Sequence, residues 1–122
     1  MLLDMKELAP ILDAARAAQP EVIDLRRQIH QEPELGLDLP ATRQKVLAAL
    51  EGLPLELELH ERTSGVVARL VGGRPGPTVL LRGDMDALPM PEDTDLPFRS
   101  RRDGAMHACG HDSQVAMLAG AT

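Results

Sequence analysis

Midway along the 122-residue chain the apolar residues change their spacing, from a helical period of about 3.6 to the strand period of 2, and this switch limits the fold more than any other feature. Before it, Leu8, Ile11, Leu12 and Ala15 give Asp4 to Ala18 a helical stripe, with Pro10 tolerable only near the start. Pro20 opens a second helix, "PEVIDLRRQIHQ", with Val22, Ile23, Leu25 or Arg26, and Ile29 on one face and a stop before Pro33. "PATRQKVLAALEG" repeats the pattern, with Pro40 leading, Val46, Leu47 and Leu50 facing inward and Gly52 closing the helix. After the switch, Leu55, Leu57 and Leu59 alternate with Glu56, Glu58 and His60, as in a strand with one wet face. "GVVARLVGG" and "PTVLLRGD" read as two further strands, the first joined by a hairpin through "RTSG". "TVLL" does not alternate, so it predicts a central strand covered on both faces.

From Gly83 to Gly110 no regular element is predicted, and a loop this long in a compact domain is usually functional. The chain then enters a helix capped by Asp112 or Ser113 and running through Val115, Ala116, Leu118 and Ala119. Helices followed by strands, a long loop and a helix predict an α/β or α+β domain. With no Trp, no Tyr and a single Phe, its core must be built from aliphatic residues and Met.

The formal charge of −6 excludes a nucleic-acid surface, which needs clustered Lys and Arg in excess. Arg26-Arg27 and Arg99 to Arg102 are short enough to read as solvated faces. No apolar run approaches the roughly 18 residues of a membrane span, and no secretory leader is evident. A single cysteine forms no internal disulfide, which fits a reducing, cytoplasmic setting and leaves the thiol free for chemistry.

Two clusters can carry that chemistry. In "RGDMDALP", Asp84 and Asp86 follow the most buried-looking strand at its C-terminal end, where open α/β sheets place ligands. If the chain is extended there, both carboxylates point the same way and call for a cation between them, unless they form an ordinary turn. In "HACGHD", His107, Cys109 and His111 share one face if the segment is extended, a compact set of metal donors. Gly110 lets the backbone bend, and Asp112 can receive the outer N–H of a ligating histidine. A cysteine nucleophile with His107 or His111 as its base is the rival chemistry, and a chance grouping of polar residues the plain alternative. His60 reads as solvent-exposed.

Three stretches, "LRRQIHQEPELG", "GPTVLLRGDMDALPMPEDTDLPF" and "GAMHACGHDSQVAML", together resemble the N-terminal part of the amidohydrolase branch of the M20 metallopeptidases, from Leu25 to the last residue. That branch includes hippurate hydrolases, N-acyl-amino-acid amidohydrolases and indole-acetyl-amino-acid hydrolases. The resemblance implies an α/β zinc-peptidase-type catalytic domain, N-terminal helices followed by a mixed sheet, of which residues 1–122 form the N-terminal portion. The smaller dimerisation domain inserted later in the family is expected to be absent. It implies two divalent ions, Mn, Zn, Co or Ni, and hydrolysis of the amide between an acyl group and an amino acid by a metal-activated water.

By the same resemblance, Cys109 and His111 match metal ligands, the Cys standing for a bridging carboxylate of other branches. Asp86 matches the catalytic aspartate that orients the ligands. Asp84 stands where related branches have a histidine ligand; His107 and Asp112 fall beside the metal or on the substrate side. Spacing alone would make His107 a ligand, whereas the resemblance nominates only Cys109 and His111. Gln114 stands where family members often have a histidine. The family's general-base glutamate and its remaining ligands follow the stretch present here, so residues 1–122 are expected to be inactive alone, and a homo-oligomer is expected of the complete enzyme. The alternative is a non-catalytic metal-binding remnant, or a subunit completed by another chain.

Overall fold

A computed structural model describes the backbone from residue 5 to residue 122 and the side chains from Leu8 onward. Helix α1 spans Met5–Gln31, α2 spans Pro40–Ala49, strands β1 (Leu55–Leu59) and β2 (Val66–Leu70) form an antiparallel hairpin, and α3 spans His111–Gly120. Helices, hairpin and a closing helix thus follow the order that the change of period predicts. The expected helix start at Asp4 lies outside the described residues.

The first two predicted helices are one. α1 runs through both Pro10 and Pro20. Pro20 lacks the N–H that would bond the Arg16 carbonyl, but Arg16 and its neighbours are exposed, so water can satisfy the freed group. Only the second half of α1 is buried. Leu25 and Ile29 pack with Val46 and Leu50 of the α2 end and with Val115 and Ala116 of α3, and Val22, Leu55, Met85 and Ala119 close the edge of this aliphatic core.

The C-terminal end of α1 is tied to α2 by Glu34, whose carboxylate accepts from the backbone N–H groups of Ala41 (3.2 Å) and Thr42 (2.7 Å). Because Pro40 opens α2 and Leu39 provides no side-chain cap, Glu34 does the capping from eight residues upstream of Thr42. Ser64 in the hairpin loop bonds the Leu37 carbonyl and the Leu39 N–H, which seats the hairpin against the same corner.

The third predicted strand is not paired. Residues 77–84 form no regular element and have no β partner among the described residues, and Val79, Leu80 and Leu81 are 77, 87 and 62% exposed. The sheet of the described chain is therefore the β1–β2 hairpin alone. Leu57 and Leu59 are about half exposed as well, so the apolar face of the hairpin is also uncovered. An apolar run records a tendency to be covered; covering it takes a partner strand. No described helix is long and apolar enough to cross a membrane.

Candidate metal centre

The loop from Gly83 to Gly110 is irregular yet tightly held. The Ala87 N–H donates to the Glu34 carbonyl (2.8 Å), and Leu88 and Met106 exchange backbone hydrogen bonds of 2.9 and 3.0 Å in an isolated antiparallel bridge. This bridge lays residues 84–88 alongside 105–111. It brings Asp86 to the start of α3, where His111 Nδ1 lies 2.8 Å from the Asp86 carbonyl oxygen and 3.1 Å from its carboxylate.

A carbonyl oxygen only accepts, so Nδ1 carries the proton and Nε2 of His111 keeps its lone pair, the form of imidazole that binds a metal. Asp84 takes a different partner: Arg82 Nε donates to it at 2.9 Å on the exposed surface. The two aspartates thus take different partners, each with its own cation or donor to answer its charge.

Gly110 caps α3 in the left-handed region, with φ of +89° and ψ of +19°, and accepts the backbone N–H groups of Ser113 and Gln114 through its carbonyl. Neither Asp112 nor Ser113 is the cap. The bend at Gly110 separates the exposed Cys109 from the first turn of α3, where His111 is half-buried. His107 is only 4% exposed, so the expected single face holding His107, Cys109 and His111 does not form: residues 107–110 are not a strand, and its two-residue alternation does not apply. Among the described residues no group of three or more His, Cys, Asp or Glu side chains is arranged to hold a metal. The donor chemistry that is present, an accessible thiol and an imidazole oriented with its ligating nitrogen bare, fits part of a metal site.

Among the described residues His107 has no hydrogen-bond partner on either ring nitrogen, and burial pushes its imidazole below the ordinary value of 6.5 against the opposing pull of the Asp112 charge. It makes no contact that would let it serve the Cys109 thiol as a base.

Asp112 is fully buried and turns away from His111 toward α1. Its Oδ2 lies 2.8 Å from His30 Nδ1 and 2.7 Å from Arg26 Nε, the latter an ion pair whose N–H does not point along the contact. The orienting role expected of Asp112 is taken structurally by Asp86, since the α-helical first turn aims residue 112 into the core while residue 111 faces the loop.

His30 Nε2 in turn lies 3.2 Å from Glu92 Oε1. Burial alone would raise the Glu92 carboxyl, but hydrogen bonds from Thr94 Oγ1 (2.6 Å), the Ser100 N–H (2.6 Å) and His30 together hold it below its ordinary value. Phe98 stands edge-on to His30 and is flanked by the guanidinium groups of Arg26 and Arg27, each 4.9 Å from its ring centre. Arg26, partly buried, thus anchors the loop, while Arg27 is exposed, as a solvated face requires, and still reaches the Phe98 ring.

Residue spacing alone does not single out Arg26, His30 or Glu92. The signal available was positional, since Arg26 and His30 are four apart on one helix face inside "LRRQIHQEPELG".

Comparison with known proteins places these features. The model of Peptidase family M20/M25/M40 matches residues 80–122. The chain is 46% identical over 106 residues to thermostable carboxypeptidase 1 of Saccharolobus solfataricus, covering 86% of this chain and 27% of that protein. It is 42% identical over 116 residues to the N-acyl-L-amino acid amidohydrolase of Geobacillus stearothermophilus, covering 94% of this chain and 30% of the relative. A Bacillus subtilis dinuclear metal-binding peptidase superimposes with a TM-score of 0.78 at 38% identity, covering 85% of this chain and 29% of that one. The chain thus spans less than a third of the length of these proteins.

Proposed function

Because the chain belongs to the M20 peptidases, we propose that it forms the front part of the metal centre of an amidohydrolase that releases an amino acid from N-acyl amino acids of the hippurate type. Carboxypeptidase and amidohydrolase activities, the names carried by two relatives, share this step, since both hydrolyse an amide whose leaving group is an amino acid.

One observation carries the reading. His111 donates its Nδ1 proton to the Asp86 carbonyl and so presents a bare Nε2, two residues from an exposed thiol across a left-handed glycine. Cys109 and His111 would hold a divalent ion such as Mn, Zn, Co or Ni. Asp86 fixes the tautomer and the ring direction of His111. A bound pair of such ions supplies an acidified water and a polarised substrate carbonyl. Residues 1–122 contribute two donors, too few for a closed four-coordinate site. Any general base and further ligands come from elsewhere, as would the contacts of an oligomer. The setting proposed is the cytoplasm, where a lone cysteine stays reduced.

Metal analysis of the purified protein with and without Cys109 tests this reading: metal content should fall on Cys109→Ala, and equal content in both would refute it. Release of amino acid from N-acyl substrates with Mn²⁺ added should be undetectable from residues 1–122 alone. Turnover at an ordinary rate, lost on Cys109→Ala, would overturn the assignment of this segment as only a part of the site.

A further inference from the structure

His30 belongs to α1, 82 residues before Asp112, yet it lies against both ends of the "HACGHD" segment. At one end its Nδ1 bonds Asp112; at the other its ring faces that of His107, with centroids 6.3 Å apart and planes inclined by 35°. Glu92 grips its second nitrogen, and Phe98 walls one edge. Both ring nitrogens of a side chain that is 3% exposed are thus committed to carboxylates, which leaves the imidazole no second orientation.

We propose that His30 is a positioning residue for the metal donors: through Asp112 it fixes the first turn of α3 from the core side, while Asp86 fixes His111 from the loop side. The proposal rests on the reading of Cys109 and His111 as metal donors. Asp112 follows His111 directly, so a shift of the α3 first turn moves the imidazole relative to Asp86 and relative to Cys109 across Gly110. Two anchors on adjacent residues, pulling to opposite sides, define that turn far better than either alone.

A cluster that merely staples α1 to α3 would lend stability without affecting the donors. The two roles separate on a measurement of metal geometry. Co²⁺ titrated into the full chain reports thiolate coordination as a near-ultraviolet charge-transfer band, and Cys109→Ala establishes whether that band belongs to the proposed site. His30→Leu should weaken Co²⁺ binding about tenfold, in the range seen when a group supporting a ligand is removed. His30→Asn keeps a nitrogen one bond from Cγ, where Nδ1 sits, and should restore most of the affinity. Glu92→Gln, a milder change of the same size, should weaken binding by less than His30→Leu. Val46→Ala, a core truncation away from the cluster, serves as the control for lost stability and should leave the affinity and band unchanged.

If wild type shows no band that depends on Cys109, the metal reading fails and this proposal with it. If the band is present and depends on Cys109, but His30→Leu binds as wild type does or only as much worse as Val46→Ala, the positioning role alone is refuted.

Discussion

Asp112→Ala removes the acceptor at the centre of the buried cluster, and its cost can be worked from the contacts. The carboxylate is fully buried, its Oδ2 2.8 Å from His30 Nδ1 and 2.7 Å from Arg26 Nε. Loss of a hydrogen bond to a charged group costs about 1.5–3 kcal/mol, and the orphaned nitrogen of His30, 3% exposed, adds about 1–3 kcal/mol. Two effects oppose this. Arg26, 29% exposed at its side chain, can turn to water, and removal of Oδ1 abolishes a buried oxygen that has no partner among the described residues. The net is about 3 kcal/mol, the low end for breaking a buried ion pair. In a domain of roughly 100 residues this lowers Tm by about 15 °C, and at a urea m-value of about 2 kcal/mol/M it moves the midpoint by about 1.5 M. The exposed Arg69–Glu56 pair across the hairpin is the internal comparison, and Glu56→Ala should cost under about 1 kcal/mol. Urea unfolding followed by circular dichroism measures both. A loss below about 1 kcal/mol for Asp112→Ala, or strict additivity with His30→Leu, would refute the account of the cluster as a coupled buried unit.

Glu34→Ala strips the start of α2 of its side-chain acceptor and should cost about 1–2 kcal/mol by thermal unfolding, since the Thr42 N–H it serves is buried; an unchanged Tm would contradict this. Gly110→Ala meets no atom within 4 Å of the added Cβ, so its expected cost of about 1–2 kcal/mol is the strain of a φ of +89° alone, and a neutral result in chemical denaturation would count against it. Glu92 has a carboxyl whose folded value lies below the ordinary 4.5, so the stability it contributes is complete above that value and is lost as pH falls through the folded value. Stability measured against pH should therefore decline on the acid side, and Glu92→Gln should flatten that decline; an unaltered profile would show that the charge contributes nothing.

Particular residues show where sequence reasoning reached and where it stopped. The α2 and α3 helices and the hairpin follow from apolar spacing, because which face of a helix or strand is apolar is a local property. Pro20 misleads, since a helix tolerates a proline more readily where water can satisfy the freed carbonyl, and exposure is not written in the neighbouring residues. Residues 78–81 mislead similarly: "TVLL" carries the hydrophobicity of a covered strand, but no described strand pairs with it and its apolar side chains are exposed. The approach of Asp86 to His111 depends on the Leu88–Met106 bridge, a pairing 18 residues apart with no turn signature to announce it.

The amino-acid sequence by itself determined the chemistry on offer, a lone thiol two places before an imidazole with a glycine between them, and the order of helices and hairpin. Tertiary structure decided which aspartate serves which residue: Asp86 meets His111, and Asp112 turns to Arg26 and His30. The reason is that side-chain chemistry and backbone periodicity act within a few residues, whereas hydrogen-bond partners are chosen by whichever groups packing brings within about 3 Å, across any length of chain.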